Sequence, residues 1–342
     1  MIILTNIYDY VMKKQEEIKE INTIDAMILT RITYFHWENI LDKVPCELEN
    51  LNSLFTRIKM NSKDEKLLSL IVNSLRFKKI KVIRVKHVLD EEKEEQFLAL
   101  TYLLPNKSLF IAFRGTNKSL IGFKEDLNMC YETIPSQKEA LDYFNSTKGR
   151  KKIYLGGHSK GGNLAMYAAI NASPLKRRLI KKVYNFDGPG FLSLDSKFYK
   201  MRHKIINYFP ENSIVGRLMM NDNIINPVVT SKEGIDAHNM YYWNISLDEL
   251  EKGNLSLLSN EFHQECLHLL EVINIEKRKH LVNNIFTMIL KKKIKSFQEM
   301  KLQDIKGYLD EIPKLQKEEK EELLKFIKLL MKIMLPYKKK SI

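Results

Sequence analysis

The sequence predicts an α/β protein whose mainly parallel sheet is covered by helices on both faces. Two observations lead to this prediction. Between residues 78 and 245, short runs rich in β-branched and aromatic residues alternate with helical segments, and the regions on either side carry apolar residues at helical spacing. Alternation of strands and helices is typical of parallel sheets, because each crossover helix covers one face of the sheet.

Residues 1–77 are predicted to form an N-terminal helical segment that packs on the core. Ile24, Ile28 and Ile32 recur at helical spacing, and the apolar residues between 67 and 75 do the same. Glycine is absent from this region, which suits a helical segment.

Residues 78–245 are predicted to form the core. The patterns indicate strands at 80–85, 97–104, 108–113, 152–155, 182–186, 204–209 and 226–230, and helices at 137–145 and 163–171. The turn Pro105-Asn106-Lys107 joins two of these strands, so we expect them to form a hairpin.

Residues 246–342 are predicted to form a helical C-terminal extension. Near its end an apolar side that includes Leu323, Leu324 and Ile327 lies opposite several lysines. We expect this helix to pack on the core, since most amphipathic helices of soluble proteins do so. The alternative is that residues 321–340 lie on an anionic membrane surface.

The composition argues against several functional classes. The formal net charge is +14, but the lysines are spread along the chain and interleaved with glutamates, and no basic-aromatic motif of nucleic-acid-binding proteins is present. We therefore expect a solvated basic surface and no nucleic-acid partner.

Targeting and metal-binding signals are equally scarce. The first residues do not resemble a signal peptide, and no apolar run approaches the ~20 residues that span a bilayer. Three widely spaced cysteines, Cys46, Cys130 and Cys266, suggest neither disulfides nor a zinc site. The sequence thus predicts a cytoplasmic protein that needs no metal or cofactor.

The segment Gly156-Gly157-His158-Ser159-Lys160-Gly161-Gly162 carries the strongest functional signal. It lies between a predicted strand and a predicted helix, which is the context of the GxSxG nucleophile elbow. Gly157 and Gly161 make room for the tight turn that exposes the Ser159 hydroxyl. The Lys160 amide begins the helix and can bind an oxyanion. A phosphate-binding loop is the alternative, but the GxxxxGK[ST] spacing is missing.

The rest of a hydrolytic site can be proposed from chain order. The strand at 108–113 leads into Arg114-Gly115-Thr116, so Thr116 is expected to supply the second oxyanion donor. The base should be a histidine after the serine, and His238 follows the last predicted strand of the core.

Two carboxylates can serve as the acid. Asp187 ends the strand at 182–186 and begins Asp187-Gly188-Pro189-Gly190, and Glu211 follows the next strand. We favour Asp187 because it would share the edge of the sheet with Ser159, although it could instead cap the Gly-Pro turn. Glu211 stays open as the alternative.

These motifs resemble those of known lipases. Ala112-Phe-Arg-Gly-Thr116 is similar to the oxyanion segment of class 3 lipases, and Phe186-Asp-Gly-Pro-Gly-Phe191 resembles the Asp-containing turn of pancreatic-type lipases. A closer resemblance, over nearly the whole chain, is to a bacterial lipase-like α/β-hydrolase family catalogued as domain of unknown function 2974. It is carried by His158-Ser-Lys-Gly-Gly-Asn-Leu-Ala165 and the His238 loop with Tyr242-Trp243, among other segments. The resemblance implies an α/β-hydrolase core and a triad, and it leaves the substrate open.

Two residues depart from the class 3 pattern. Ser213 stands where those lipases carry their acid, so the acid must come from elsewhere or the triad is broken. Lys160 stands where they carry an apolar residue, and we interpret it as a solvated lysine or as a recognition group for an anionic acyl or phosphate moiety.

The sequence therefore predicts a serine hydrolase that cleaves an acyl ester or thioester of a small-molecule or lipid substrate. Ser159, His238 and Asp187 would form its triad. The alternative function is a binding module that kept the fold and lost turnover, in contact with an anionic membrane surface.

Overall fold

A computed structural model of the protein describes residues 6–117, 119–222, 224–291, 316–321 and 323–325. An eight-stranded sheet runs in the sequential order β1 to β8, and a separate two-stranded hairpin follows it. The strands are β1 (Cys46–Glu47), β2 (Lys81–Asp90), β3 (Glu95–Leu103), β4 (Leu109–Phe113), β5 (Ile153–His158), β6 (Ile180–Phe186), β7 (Ile205–Pro210), β8 (Ile225–Val228), β9 (Ile245–Ser246) and β10 (Glu249–Leu250).

Helices precede, interrupt and follow the strands. They are α1 (Ile7–Lys13), α2 (Thr23–Ile32), α3 (Leu51–Phe55), α4 (Ser62–Ile71), α5 (Leu120–Asn128), α6 (Pro135–Asn145), α7 (Lys160–Asn171), α8 (Pro174–Leu179), α9 (Ser196–Met201), α10 (Leu257–Val272) and α11 (Ile275–Lys291). The predicted α/β fold with a mainly parallel sheet and helical segments at both ends is confirmed.

The sheet changes from antiparallel to parallel at β4. Strands β1 to β4 pair antiparallel, and β4 to β8 pair parallel through helical or irregular crossovers. All five parallel strands therefore end at one edge, which we call the carboxyl edge, and begin at the opposite amino edge. In open α/β sheets, ligands bind outside the carboxyl ends of the strands.

Each face of the sheet has its own hydrophobic cluster. One cluster joins the N-terminal helices to residues of β2 to β6 and includes Trp37, Tyr102 and Trp243. The other joins the opposite face to α6, α7 and α9. Because β3 and β5 are covered on both sides, they read as continuous buried runs rather than alternating ones.

The N-terminal segment differs from its purely helical prediction. Asparagine side chains cap α1, α2 and α4, as expected for helix starts, but β1 lies between the helices and pairs with β2. The segment thus contributes an edge strand to the sheet as well as a helical cover. The division of the chain into three domains stays a prediction.

At the C-terminal end, α10 and α11 follow the β9–β10 hairpin. Most of the predicted amphipathic helix at 321–340 lies outside the described residues. Within the described ranges, no helix is both long and apolar enough to cross a membrane.

Candidate active site

Ser159 occupies a sharp turn between β5 and α7. Its backbone has φ 58° and ψ −135°, a conformation that costs a residue with a side chain roughly 1–3 kcal/mol. The register of the parallel strands pairs His158 with Phe186, and the Ser159 amide donates to the Phe186 carbonyl at 3.0 Å. The strain is held by the sheet on one side and the helix on the other, which is typical of functional positions.

The two elbow glycines, Gly157 and Gly161, lie where a side chain would clash with the backbone. A Cβ on Gly157 would stand 1.9 Å from the Gly161 carbonyl oxygen, and a Cβ on Gly161 would stand 2.1 Å from that of Phe113. Both distances are far below contact, so the turn excludes any side chain at either position.

His238 and Asp187 meet at the carboxyl edge. His238 ends a short 3-10 turn at Gly234–His238, and its Nδ1 lies 2.6 Å from Asp187 Oδ2. The carboxylate is an acceptor, so Nδ1 carries the proton and Nε2 keeps its lone pair. His238 thereby has the tautomer that a general base needs.

The other oxygen of Asp187 is bound as well. Asp187 Oδ1 accepts from the Ser213 hydroxyl at 2.5 Å and from the Gly216 amide at 3.0 Å. Asp187 is buried, and these two donors together with His238 supply the hydrogen bonds that water would give to an exposed carboxylate. Ser213, the departure from the lipase pattern, therefore supports a carboxylate that comes from the neighbouring strand.

Glu211 lies away from His238. Its Oε1 accepts from the amide of Asn254 at 3.2 Å, near the segment that follows the β9–β10 hairpin. Of the two acids that the sequence left open, the structure brings Asp187 to the histidine and leaves Glu211 elsewhere.

Two segments converge on the place where an oxyanion would form. Phe113 pairs with Gly157 in the sheet, so residues 114–116 leave β4 beside the elbow. The Lys160 amide begins α7, and the first amides of a helix have no intrahelical acceptor. The Thr116 hydroxyl is occupied, because it donates to Asp126 Oδ1 at 2.7 Å. Thr116 can thus offer its amide, while its hydroxyl is held in place.

The Lys160 side chain corrects both interpretations that the sequence allowed. It is 1% exposed, and Nζ donates to Glu125 Oε2 at 2.5 Å and to the Gln96 carbonyl at 2.9 Å. The ammonium is neither solvated nor available to an anionic substrate. It is one half of a buried ion pair between α7 and α5, directly under the elbow.

Asp126, beside that ion pair, is the acidic group that stays partly exposed near Thr116. Burial raises the pKa of Asp126 to about 6, although the charge of Lys160 opposes this shift. The sequence predicts no role for Asp126, because its role depends on the contact with Thr116, ten residues earlier.

His158 lies inside the elbow, next to Ser159. It is buried, and its Nε2 lies 2.7 Å from the His238 carbonyl oxygen. A carbonyl only accepts, so Nε2 donates and Nδ1 must accept the hydrogen of Tyr34, 2.9 Å away. Burial lowers the pKa of His158 well below 6.5, with His238 adding to the effect, which agrees with this neutral form.

Tyr34 completes a chain of hydrogen bonds across the site. Its hydroxyl accepts from the Gly115 amide at 3.2 Å while it donates to His158. The chain runs from the segment that holds Thr116, through Tyr34 and His158, to the backbone of His238. The N-terminal segment thereby contacts Gly115 and His158 directly, and His238 through His158.

A family model described as Mbeg1-like matches residues 71–287. This range is more than half of the chain and includes the elbow, Asp187 and His238. The chain belongs to the Mbeg1-like family, which is lipase-like. A search of the curated proteins finds no match.

The Mbeg1-like match begins after the segment that supplies Tyr34.

A further cluster of side chains joins the N-terminal segment to the loop that follows His238. Arg31 forms a bidentate pair with Asp64, and Asp64 Oδ1 also accepts from the Tyr241 hydroxyl at 2.6 Å. The Arg31 guanidinium lies 4.6 Å from the ring centroid of Tyr34 and 4.9 Å from that of Tyr241. Three residues after His238, the loop is thus clamped to α2 and α4.

Among the described residues, no group of three or more His, Cys, Asp or Glu side chains could hold a metal ion.

Proposed function

We propose that this Mbeg1-like protein is a serine hydrolase that cleaves an acyl ester or thioester. The observation that carries the proposal is the 2.6 Å contact between His238 Nδ1 and Asp187 Oδ2, beside a serine held in a strained elbow. The lipase-like family supports the same reaction class. The resemblance of Ala112-Phe-Arg-Gly-Thr116 to the oxyanion segment of class 3 lipases, read from the sequence, agrees with it.

In the proposed mechanism, His238 Nε2 takes the proton of Ser159 as the hydroxyl attacks the acyl carbonyl carbon. The carbonyl π electrons move to oxygen, and the amides of Lys160 and Thr116 stabilise that oxyanion. The intermediate collapses when the imidazolium returns the proton to the leaving alcohol or thiol. Water then attacks the acyl-enzyme by the same route, releasing the acid and regenerating Ser159.

The charges around the site restrict the kind of acyl group that it can bind. The Lys160 ammonium is neutralised by Glu125, while the partly exposed Asp126 adds negative charge near Thr116 as it ionises. An anionic group placed there would be repelled, so we infer an uncharged acyl chain of a small-molecule or lipid substrate.

Labelling with a fluorophosphonate probe tests the proposal. The wild type should become labelled, and Ser159→Ala should not, since the probe forms its bond with an activated serine hydroxyl. Ser193→Ala removes an exposed serine and should keep the labelling. A wild type without labelling, or equal labelling of the wild type and Ser159→Ala, would contradict the proposal.

The alternative is a binding module without turnover, which Ser213 suggested. Because the Ser213 hydroxyl donates to Asp187, Ser213 can support a triad acid at Asp187, and its presence is no argument against turnover. The module would still be favoured if folded wild type left a panel of acyl esters and the probe untouched.

A further inference from the structure

Among the described residues, a dense group of positive charges lies at the amino edge of the sheet. Three segments lie at the starts of β5, β6 and β7 there: residues 146–152, 173–182 (which include the first three residues of β6) and 197–204. Together these 25 residues hold 13 lysines and arginines and no aspartate or glutamate, in a chain of net charge +14. We call them the amino-edge basic surface. The even spread of charge expected from the sequence therefore does not hold in three dimensions.

The three segments form one continuous surface. Their strands are adjacent, with Ile153 paired to Ile180 and Val183 to Ile205. Lys176 Nζ donates to the Thr147 carbonyl, and Lys204 Nζ donates to the Ile180 carbonyl at 2.8 Å. Lysines of one segment thus bridge to the backbone of the next, which fixes their relative positions.

Most of these charges have no acidic partner. Arg202 pairs with Asp222, and no other acidic side chain of the described ranges forms an ion pair with the surface. The exposed members are Lys148, Arg150, Lys151, Lys152, Arg178, Lys181, Lys182, Lys197 and Lys200. These positive charges repel one another, and together they attract an anionic partner within a Debye length of ~8 Å.

Two large apolar side chains are exposed on the same surface. Leu175, in the first turn of α8, is 74% exposed, and Tyr199, in α9, is 57% exposed. An aliphatic side chain gains little against a phosphate backbone, but it gains transfer free energy at a bilayer interface, where tyrosine is also favoured. Nine of the 13 cations are lysines, whereas nucleic-acid recognition favours arginine.

We propose that the amino-edge basic surface binds an anionic phospholipid membrane. The carboxyl edge lies about 20 Å away along the six residues of β5, so the membrane-bound protein would present Ser159 to the solution. This inference does not depend on the chemistry of Ser159. It also differs from membrane contact through residues 321–340, because none of its residues lies there.

Vesicle flotation with the full chain tests the proposal. Wild-type protein should float with vesicles of phosphatidylcholine and phosphatidylserine, stay in solution with phosphatidylcholine alone, and be released at about 0.5 M salt. Lys151→Gln, Lys181→Gln and Lys200→Gln together take one exposed lysine from each segment. Because each basic residue near an anionic surface contributes about 1 kcal/mol, this triple variant should bind about 100-fold more weakly.

The matched control removes three exposed lysines away from the amino edge, with Lys59→Gln, Lys252→Gln and Lys279→Gln. Lys252 bridges to Val228 at the carboxyl end of β8. This control has the same net charge as the first triple variant and should bind within about threefold of the wild type if place, not total charge, decides. Leu175→Ser should weaken binding at high salt relative to the wild type, since its contribution is not screened.

Three outcomes would overturn the proposal. They are no flotation of wild type on the anionic vesicles, an equal loss in both triple variants, and tight binding of RNA or DNA with no vesicle binding. Fluorophosphonate labelling of the same samples is a separate readout, so a failure of membrane binding and a failure of the proposed hydrolase are distinguishable.

Discussion

The two edges of the sheet use the same kinds of side chain in opposite ways. At the carboxyl edge, Lys160 is buried and paired with Glu125, and Asp187 is bound by three donors. At the amino edge, nine lysines and arginines are exposed, and the described acidic residues leave them unpaired. The first arrangement holds the charged side chains in fixed positions. The second leaves charges exposed to solvent, so a substitution at each edge should change a different property.

The largest effect is expected for the acid. Asp187→Asn keeps the shape of the side chain but can leave His238 in the wrong tautomer, so fluorophosphonate labelling should slow on the order of 10³–10⁴-fold. Glu211→Gln is the control, because Glu211 contacts Asn254 rather than the histidine, and it should label like the wild type. The reverse ranking would make Glu211 the acid.

The buried ion pair should dominate stability. Glu125→Gln leaves the Lys160 ammonium buried without its counter-ion, and we expect the free energy of unfolding to fall by about 3–5 kcal/mol. Lys151→Met, at the amino edge, should change it by less than about 0.5 kcal/mol. Urea denaturation of both variants measures the difference. Similar small losses in the two would mean that the pairing under the elbow contributes little.

Tyr34 is expected to act on the site through position. Tyr34→Phe removes the hydrogen bonds to Gly115 and His158, and fluorophosphonate labelling should slow about fivefold to tenfold. The midpoint of the labelling rate against pH should also shift, because the backbone of His238 loses part of its support. Tyr10→Phe, in the same segment, loses its bond to Asp25 and should affect unfolding alone. A labelling rate in Tyr34→Phe equal to that of Tyr10→Phe would limit Tyr34 to a structural role.

The smallest effect is a pH dependence of stability that arises at the carboxyl edge. His158 stays neutral in the folded state, while the unfolded chain binds a proton below pH 6.5, so acidification from 6.5 should cost up to about 1.4 kcal/mol per pH unit. Asp126 acts in the opposite direction below pH 6, because its pKa is raised from 3.8 to about 6 and the folded state holds the proton more tightly.

Asp126→Asn separates the two contributions. Without the opposing carboxyl, the decline in unfolding free energy between pH 6 and pH 5 should be steeper than in the wild type. Urea denaturation across this range is the measurement. A shallower decline in Asp126→Asn would contradict the assigned direction for Asp126.

Local features were open to prediction because they depend on neighbours in the chain. The alternation of strands and helices, the elbow at Ser159 and its glycines follow from residues within a few positions of one another, and so does the placement of Thr116 at the end of a strand. The order of serine and histidine along the chain further restricted the base to a few positions.

Tertiary structure decided the rest, because it depends on strand order and register. The contact of His238 with Asp187 rather than Glu211 joins loops 51 residues apart, and Lys160 finds Glu125 across two elements. His158 and Tyr34 are joined over 124 residues. The basic residues ahead of three separate strands looked evenly spread in the sequence, and parallel pairing brings them to one edge because parallel strands begin side by side. The sequence alone therefore predicted the elbow at Ser159 and its glycines, because these depend on neighbouring residues. The register of the sheet determined what surrounds the elbow and what lies at the opposite edge.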